Sequence, residues 1–110
     1  MNVNKDHFYL ERIIESIQRI ERFIAGLSEA DFSNNEVVND AVLMQLINIG
    51  EMVNQLSEDF TEKHRNFPWH EIIGMRNQIA HGYFEIKPDV IWRTCQIDLP
   101  ELKNMIGSII

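Results

Sequence analysis

One cysteine, three prolines and no long hydrophobic run narrow this 110-residue chain before any pattern is read. A lone thiol, Cys95, cannot close an intrachain disulfide. That excludes a disulfide framework and suits a reducing cytoplasm, where the protein is expected. No apolar stretch approaches the ~20 residues of a membrane span, and Met1-Asn2-Val3-Asn4-Lys5-Asp6 carries no secretory pattern, so no membrane partner is expected. Basic residues are scarce: 10 Lys and Arg stand against 17 Asp and Glu, for a net charge of −7. That sign weighs against a tight, sequence-indifferent nucleic-acid binder, whose affinity comes from neutralised phosphates, but it permits a local basic site or a basic partner. The basic cluster Lys63-His64-Arg65 reads as a solvated loop.

What is present is a hydrophobic fraction of 45%, enough for one modest core. The chain reads as one domain over residues 1–110. From about residue 6 to 27, Leu10, Ile13, Ile14, Ile17, Ile20, Ile24 and Leu27 step by threes and fours, which predicts an amphipathic helix. Arg12, Glu15, Arg19 and Arg22 fall on its other faces, and Gly26 with the Ser28-Glu29-Ala30-Asp31 run ends it. A second helix, about 35 to 56, is apolar nearly all round and should be the most buried. Gly50 inside it costs about 1 kcal/mol against alanine and signals a close neighbour. Gln45, Asn48 and Glu51 need polar partners there. They lie either at the helix's solvent edge or, for Asn48 and Glu51, toward a polar site or subunit interface.

Residues 57–67 read as a loop. Pro68 suits a first helical position, Trp69, Ile72, Ile73 and Ile79 give the third helix an apolar face, and Gly82 ends it. Pro88 opens a fourth helix with Asp89 in its first turn and Ile91, Cys95, Leu99, Leu102, Ile106 and Ile109 as its stripe. Pro100 should kink or restart it. No segment alternates with period two. The predicted fold is all-α: a four-helix up-and-down bundle with a Pro-kinked last helix.

The segment Met75-Arg76-Asn77-Gln78-Ile79-Ala80-His81-Gly82-Tyr83 carries the chemistry. An always-charged guanidinium suits phosphate, an imidazole moves protons near neutral pH, and a phenol donates a hydrogen bond or accepts a modification. Asn77 and His81, four apart, share a helix face, so the Asn77 amide is placed to orient the imidazole. Arg76 and His81 lie about 140° apart on a regular helix and converge poorly. Either the helix deforms near Gly82, or a second copy completes the site across a two-fold axis. Metal binding finds no support: His70 and His81 sit about 16 Å apart, and the i,i+4 pair His7 and Glu11 lacks further ligands. No metal and no cofactor are expected.

The Arg76-Asn77-x-x-x-His81-x-Tyr83 pattern resembles the R-x4-H-x-Y signature of the HEPN superfamily, and more closely the HepT-like family of toxin ribonucleases. The likeness extends to Ile49-Gly50-Glu51 before Leu56-Ser57 and to Pro68-Trp69-x-x-Ile72-x-Gly74-Met75-Arg76-Asn77. It implies a two-fold homodimer that brings two motifs together, and a metal-independent endoribonuclease acting on RNA. It also implies a toxin–antitoxin pair with an MntA-like nucleotidyltransferase antitoxin, which neutralises the toxin by AMPylation of Tyr83. On that reading Arg76 and His81 are catalytic, with Asn77, Tyr83 and Glu51 in support. The alternative is a non-catalytic substrate- or nucleotide-binding subunit of a two-component nucleotidyltransferase.

Overall fold

A computed structural model describes residues 3–82 and 85–110. Helix α1 (Val3–Ile24) buries Leu10, Ile13, Ile17 and Ile20, four members of the stripe that its periodicity marks. Gly26, with φ of +77°, then turns the chain in a conformation that side chains resist. The Ser28-to-Asp31 run does more than stop α1. Ser28 and Asp31 form a reciprocal capping box that starts a short helix, α2 (Glu29–Ser33), and sets Phe32 fully into the core against Trp92.

Helix α3 (Glu36–Asn54) is capped by Asn35 and lies between α1 and α5 (Trp69–Gly82), which explains its near-encircling apolar surface. The segment expected to be a loop contains a one-and-a-half-turn helix, α4 (Glu58–Lys63). Its signal was Ser57, whose hydroxyl accepts from the Phe60 N–H as an N-cap. Ser57 also gives its own N–H and O–H to the two carboxylate oxygens of Asp6, at 2.7 and 2.6 Å, all buried. This clamp ties the start of α1 to the end of α3, so the two helices run antiparallel.

Pro88 opens α6 (Pro88–Arg93) at its first helical position. The helical path does not restart at Pro100. It widens into a π-helical turn, Thr94–Asp98, and continues as α7 (Leu99–Ile109). The Leu99 N–H donates to the Thr94 carbonyl, five residues back, relieving the crowding that a proline ring imposes on the preceding turn. The wider turn also explains the stripe. Two successive steps of four drift by about 80° on a regular helix, yet Ile91, Cys95 and Leu99 are all buried. Ile109, expected on the same stripe, is exposed in the last turn. Burial pushes the Cys95 thiol up to about 12, so it is an inert core group. Lys103 of α7 pairs with Glu21 of α1 at 3.0 Å. Among the described residues there is no strand, and no helix is long and apolar enough to cross a membrane. All-α is the architecture.

Candidate active site

Gly50 and Arg76 mark where α3 and α5 approach most closely. A Cβ built on Gly50 would overlap the Cβ of Arg76 and lie 2.6 Å from its Cγ. The missing side chain lets the arginine stem cross the α3 backbone. Its guanidinium then reaches Glu51, one residue on. Nε donates to Glu51 Oε1 at 2.8 Å and Nη2 donates to the same oxygen. Nη1 donates to Asn77 Oδ1 at 2.9 Å. Glu51 thus lies at the solvent edge of α3 and is bonded to Arg76 there. Gln45 is buried and Asn48 exposed.

Five N–H donors make up a guanidinium. Glu51 and Asn77 engage three, one on each nitrogen. One N–H on each terminal nitrogen has no partner among the described residues. A guanidinium with two such donors suits phosphate oxygens, and this pair is its fork. Arg76 is 34% exposed and Glu51 46%, so the pair is wet enough to admit a ligand and too exposed to stabilise the fold by much.

Asn77 does not orient the imidazole. Its side-chain oxygen is taken by Arg76, and no hydrogen bond joins it to His81 among the described residues. His81 is exposed in the last turn of α5. Since α5 remains helical through Gly82, no local deformation swings His81 toward Arg76 within this chain. Tyr83 lies outside the described residues. Elsewhere, His7 pairs with Glu11 at 2.9 Å on the exposed face of α1, and His64 stacks on Phe60 at 4.6 Å. Lys63 and Arg65 are exposed, as a solvated cluster should be. Among the described residues no three His, Cys, Asp or Glu side chains gather as metal ligands would.

Residues 13–109 match the family described as "Ribonuclease HepT-like". This chain belongs to the HepT-like ribonuclease family. It is 36% identical to a "Putative RNase" of Caldanaerobacter subterraneus subsp. tengcongensis, over 93% of this chain and 91% of that one. It is 37% identical to a "Probable ribonuclease HepT" of Thermococcus cleftensis, over 92% of each chain. A "Putative RNase" of Methanocaldococcus jannaschii is 34% identical, over 92% of this chain and 93% of that one. No solved structure matches significantly. This HepT-like chain thus presents, on one helix, a guanidinium held by Glu51 and Asn77 and an exposed imidazole.

Proposed function

We propose that this HepT-like chain is a metal-independent endoribonuclease that works as a homodimer. The observation carrying this reading is the Arg76 guanidinium, held by Glu51 and Asn77 with two N–H groups unpartnered among the described residues, five residues before an exposed His81. His81 takes the proton of a ribose 2′-hydroxyl, and the oxygen attacks the adjacent phosphorus. The P–O5′ bond breaks, and a protonated imidazole returns a proton to the leaving oxygen. Arg76 stabilises the charge that builds on the phosphate oxygens. This leaves a 2′,3′-cyclic phosphate and a 5′-hydroxyl. The side chains supply both acid–base chemistry and charge stabilisation, so no metal is needed.

Pairing of two chains supplies what one helix lacks, the convergence of Arg76 on a His81. Support comes from α3, where Val37 is 79% and Met44 57% exposed, and where Met44, Leu43 and Ile47, with Asp40 at the edge, line an open hollow of about 320 Å³ reaching Ile79 and Ala80 of α5. This apolar strip runs along α3 toward Glu51 and is what a second copy would cover.

Within this reading the protein is the toxin of a toxin–antitoxin pair. An MntA-like nucleotidyltransferase neutralises it by transferring AMP to Tyr83, two residues after His81. An adenylyl group there adds negative charge and bulk where phosphate must enter. Purified protein should cut RNA in EDTA, and His81→Ala should remove cutting while the fold survives. Cutting by His81→Ala at the wild-type rate ends the proposal. The net charge of −7 favours a second reading, a non-catalytic binding subunit docked to a nucleotidyltransferase. A stable complex with no cleavage by the bound or released subunit would select it.

A further inference from the structure

A second polar feature lies on the face of α3 next to the apolar strip. Between α1 and α3 runs a groove of about 440 Å³, lined on α1 by Arg12, Glu15, Ser16 and Arg19 and on α3 by Gln45, Asn48, Glu51 and Met52. The Asp6–Ser57 clamp sets the antiparallel register, and equal rise along both helices puts Arg12 level with Glu51 and Arg19 level with Gln45. Glu51, which holds Arg76, therefore stands at the Arg12 end. The groove leads away from the Arg76 fork.

Its floor is polar and unused. Ser16 is 7% and Gln45 8% exposed, and neither side chain makes a hydrogen bond among the described residues. No side-chain nitrogen or oxygen sealed from solvent lacks a partner. The residual access of the Gln45 amide and Ser16 hydroxyl is therefore into the groove that they line. A mostly buried amide whose polar atoms open only to the groove is placed to bond what enters it. An arginine stands at each end of the α1 wall, with Glu15 between them and Glu51 across from Arg12. Arg12 rests 5.2 Å from the Phe8 ring centre, toward the start of α1, and Arg19 rests 5.9 Å from Phe23, toward its end. Their Cα atoms are about 10 Å apart along the axis and about 20° out of line. Stacking occupies one face of each guanidinium and leaves its N–H edges open. Arg19 has no ion pair among the described residues, and the Arg12–Glu15 contact is 3.5 Å between side chains more than half exposed, weak enough for a phosphate to displace.

We infer that this groove is a nucleotide subsite for single-stranded RNA next to the scissile phosphate, with Arg12 and Arg19 holding backbone phosphates and the Gln45 amide reading a base edge. The inference rests on the ribonuclease reading and deepens it by assigning the substrate track. Single-stranded RNA fits because its bases are unpaired and can be hydrogen-bonded at their edges. An amide offers an adjacent donor and acceptor, which matches adenine. The two guanidiniums supply the cationic contacts for backbone phosphates; Glu15 shares the α1 wall with them, and Glu51 is engaged by Arg76.

The test separates binding from chemistry. Arg12→Gln/Arg19→Gln should raise KM for a single-stranded RNA about tenfold or more, leave kcat within about twofold, and flatten the salt dependence of KM by about one to two in logarithmic slope. Gln45→Met should keep or raise the melting temperature and erase the preference for adenine in a series of oligonucleotides differing at one base. A packing role would instead lower the melting temperature. If wild type cuts RNA and the double variant has the wild-type KM, the groove inference is overturned while the ribonuclease reading stands. If wild type cuts nothing, that reading fails, and anisotropy with a non-cleavable 2′-O-methyl RNA reads the groove alone. Loss of binding in the double variant then supports the subsite. Equal binding by both proteins, or none by wild type, overturns it.

Discussion

The stem of Arg76 lies directly over Gly50, where any side chain would overlap it. Two opposing effects meet at this glycine. Alanine improves helix propensity by about 1 kcal/mol, but its methyl group would meet the Cβ and Cγ of Arg76, with Cα only 3.5 Å away. The contact is with the base of the side chain, which cannot swing aside, so overpacking wins. Gly50→Ala should lower stability by about 1–3 kcal/mol in urea unfolding and reduce RNA cleavage by shifting Arg76. Gly107→Ala is the control. Nothing lies within 4 Å of its added methyl, and stability should rise by a few tenths to about 1 kcal/mol.

Glu51 holds the guanidinium by two N–H groups. Removing the carboxylate frees Arg76 to rotate, and the fork loses its fixed aim. Glu51→Ala should lower kcat/KM about tenfold or more while shifting the melting temperature little, because the pair is exposed. Glu51→Gln keeps an oxygen acceptor and should recover part of the loss. Steady-state cleavage kinetics beside thermal melts decide this. Equal activity of the alanine variant would remove Glu51 from the site.

How far these features were readable depends on how local they are. Gly50 announced a close neighbour because a buried helical glycine has few other reasons to exist, though nothing in the chain named Arg76 as that neighbour. The helical stripes of α1 and α7 follow from repeated spacing alone. Ser28 looked like the end of one helix because its capping role needs Asp31 in a precise conformation. Ser57 was hidden for a similar reason: its second partner, Asp6, lies 51 residues away. Arg12 and Arg19 read as a solvated face, since periodicity shows which side of α1 is apolar but not that α3 presents Gln45 across a groove. Asn77 and His81 share a face as the spacing required. The competing bond to Arg76 came from an adjacent residue, which helical periodicity does not weigh.

The Asp6–Ser57 clamp should contribute strongly to stability. Asp6→Ala leaves a buried N–H and O–H without acceptors, a loss of about 1–3 kcal/mol for each unsatisfied group before relaxation. A combined loss of about 2–4 kcal/mol, read from the urea midpoint, is expected. Ser57→Ala should cost less, because its backbone N–H keeps its bond to Asp6.

Met44, more than half exposed at the centre of the α3 strip, tests pairing of two chains. Met44→Asp would place a charge in a surface that a partner must desolvate. Sedimentation equilibrium should show twice the chain mass for wild type and the single-chain mass for the variant. Cleavage should fall with dimer content and recover at high protein concentration. A monomeric wild type with full activity would separate catalysis from pairing.

Asp98 sits in the π-helical turn, where its carboxyl is raised above the ordinary value of 3.8, first by burial and then by Glu71 and Glu101, with Arg93 opposing. A raised carboxyl binds its proton more tightly in the folded chain than in the unfolded one. Stability falls wherever the folded state holds the extra proton, so this group's penalty is absent below 3.8 and complete once pH exceeds the raised folded value. Asp98→Asn removes the charge and keeps the shape. It should therefore raise the melting temperature at pH 7, and the gain should shrink toward zero as pH falls below 4. Melting curves of both proteins across that range check the sign. A gain independent of pH would assign the effect to packing in the π turn instead of to the charge, and a loss at pH 7 would mean that the carboxylate is stabilised by Arg93 more than it is repelled by Glu71 and Glu101.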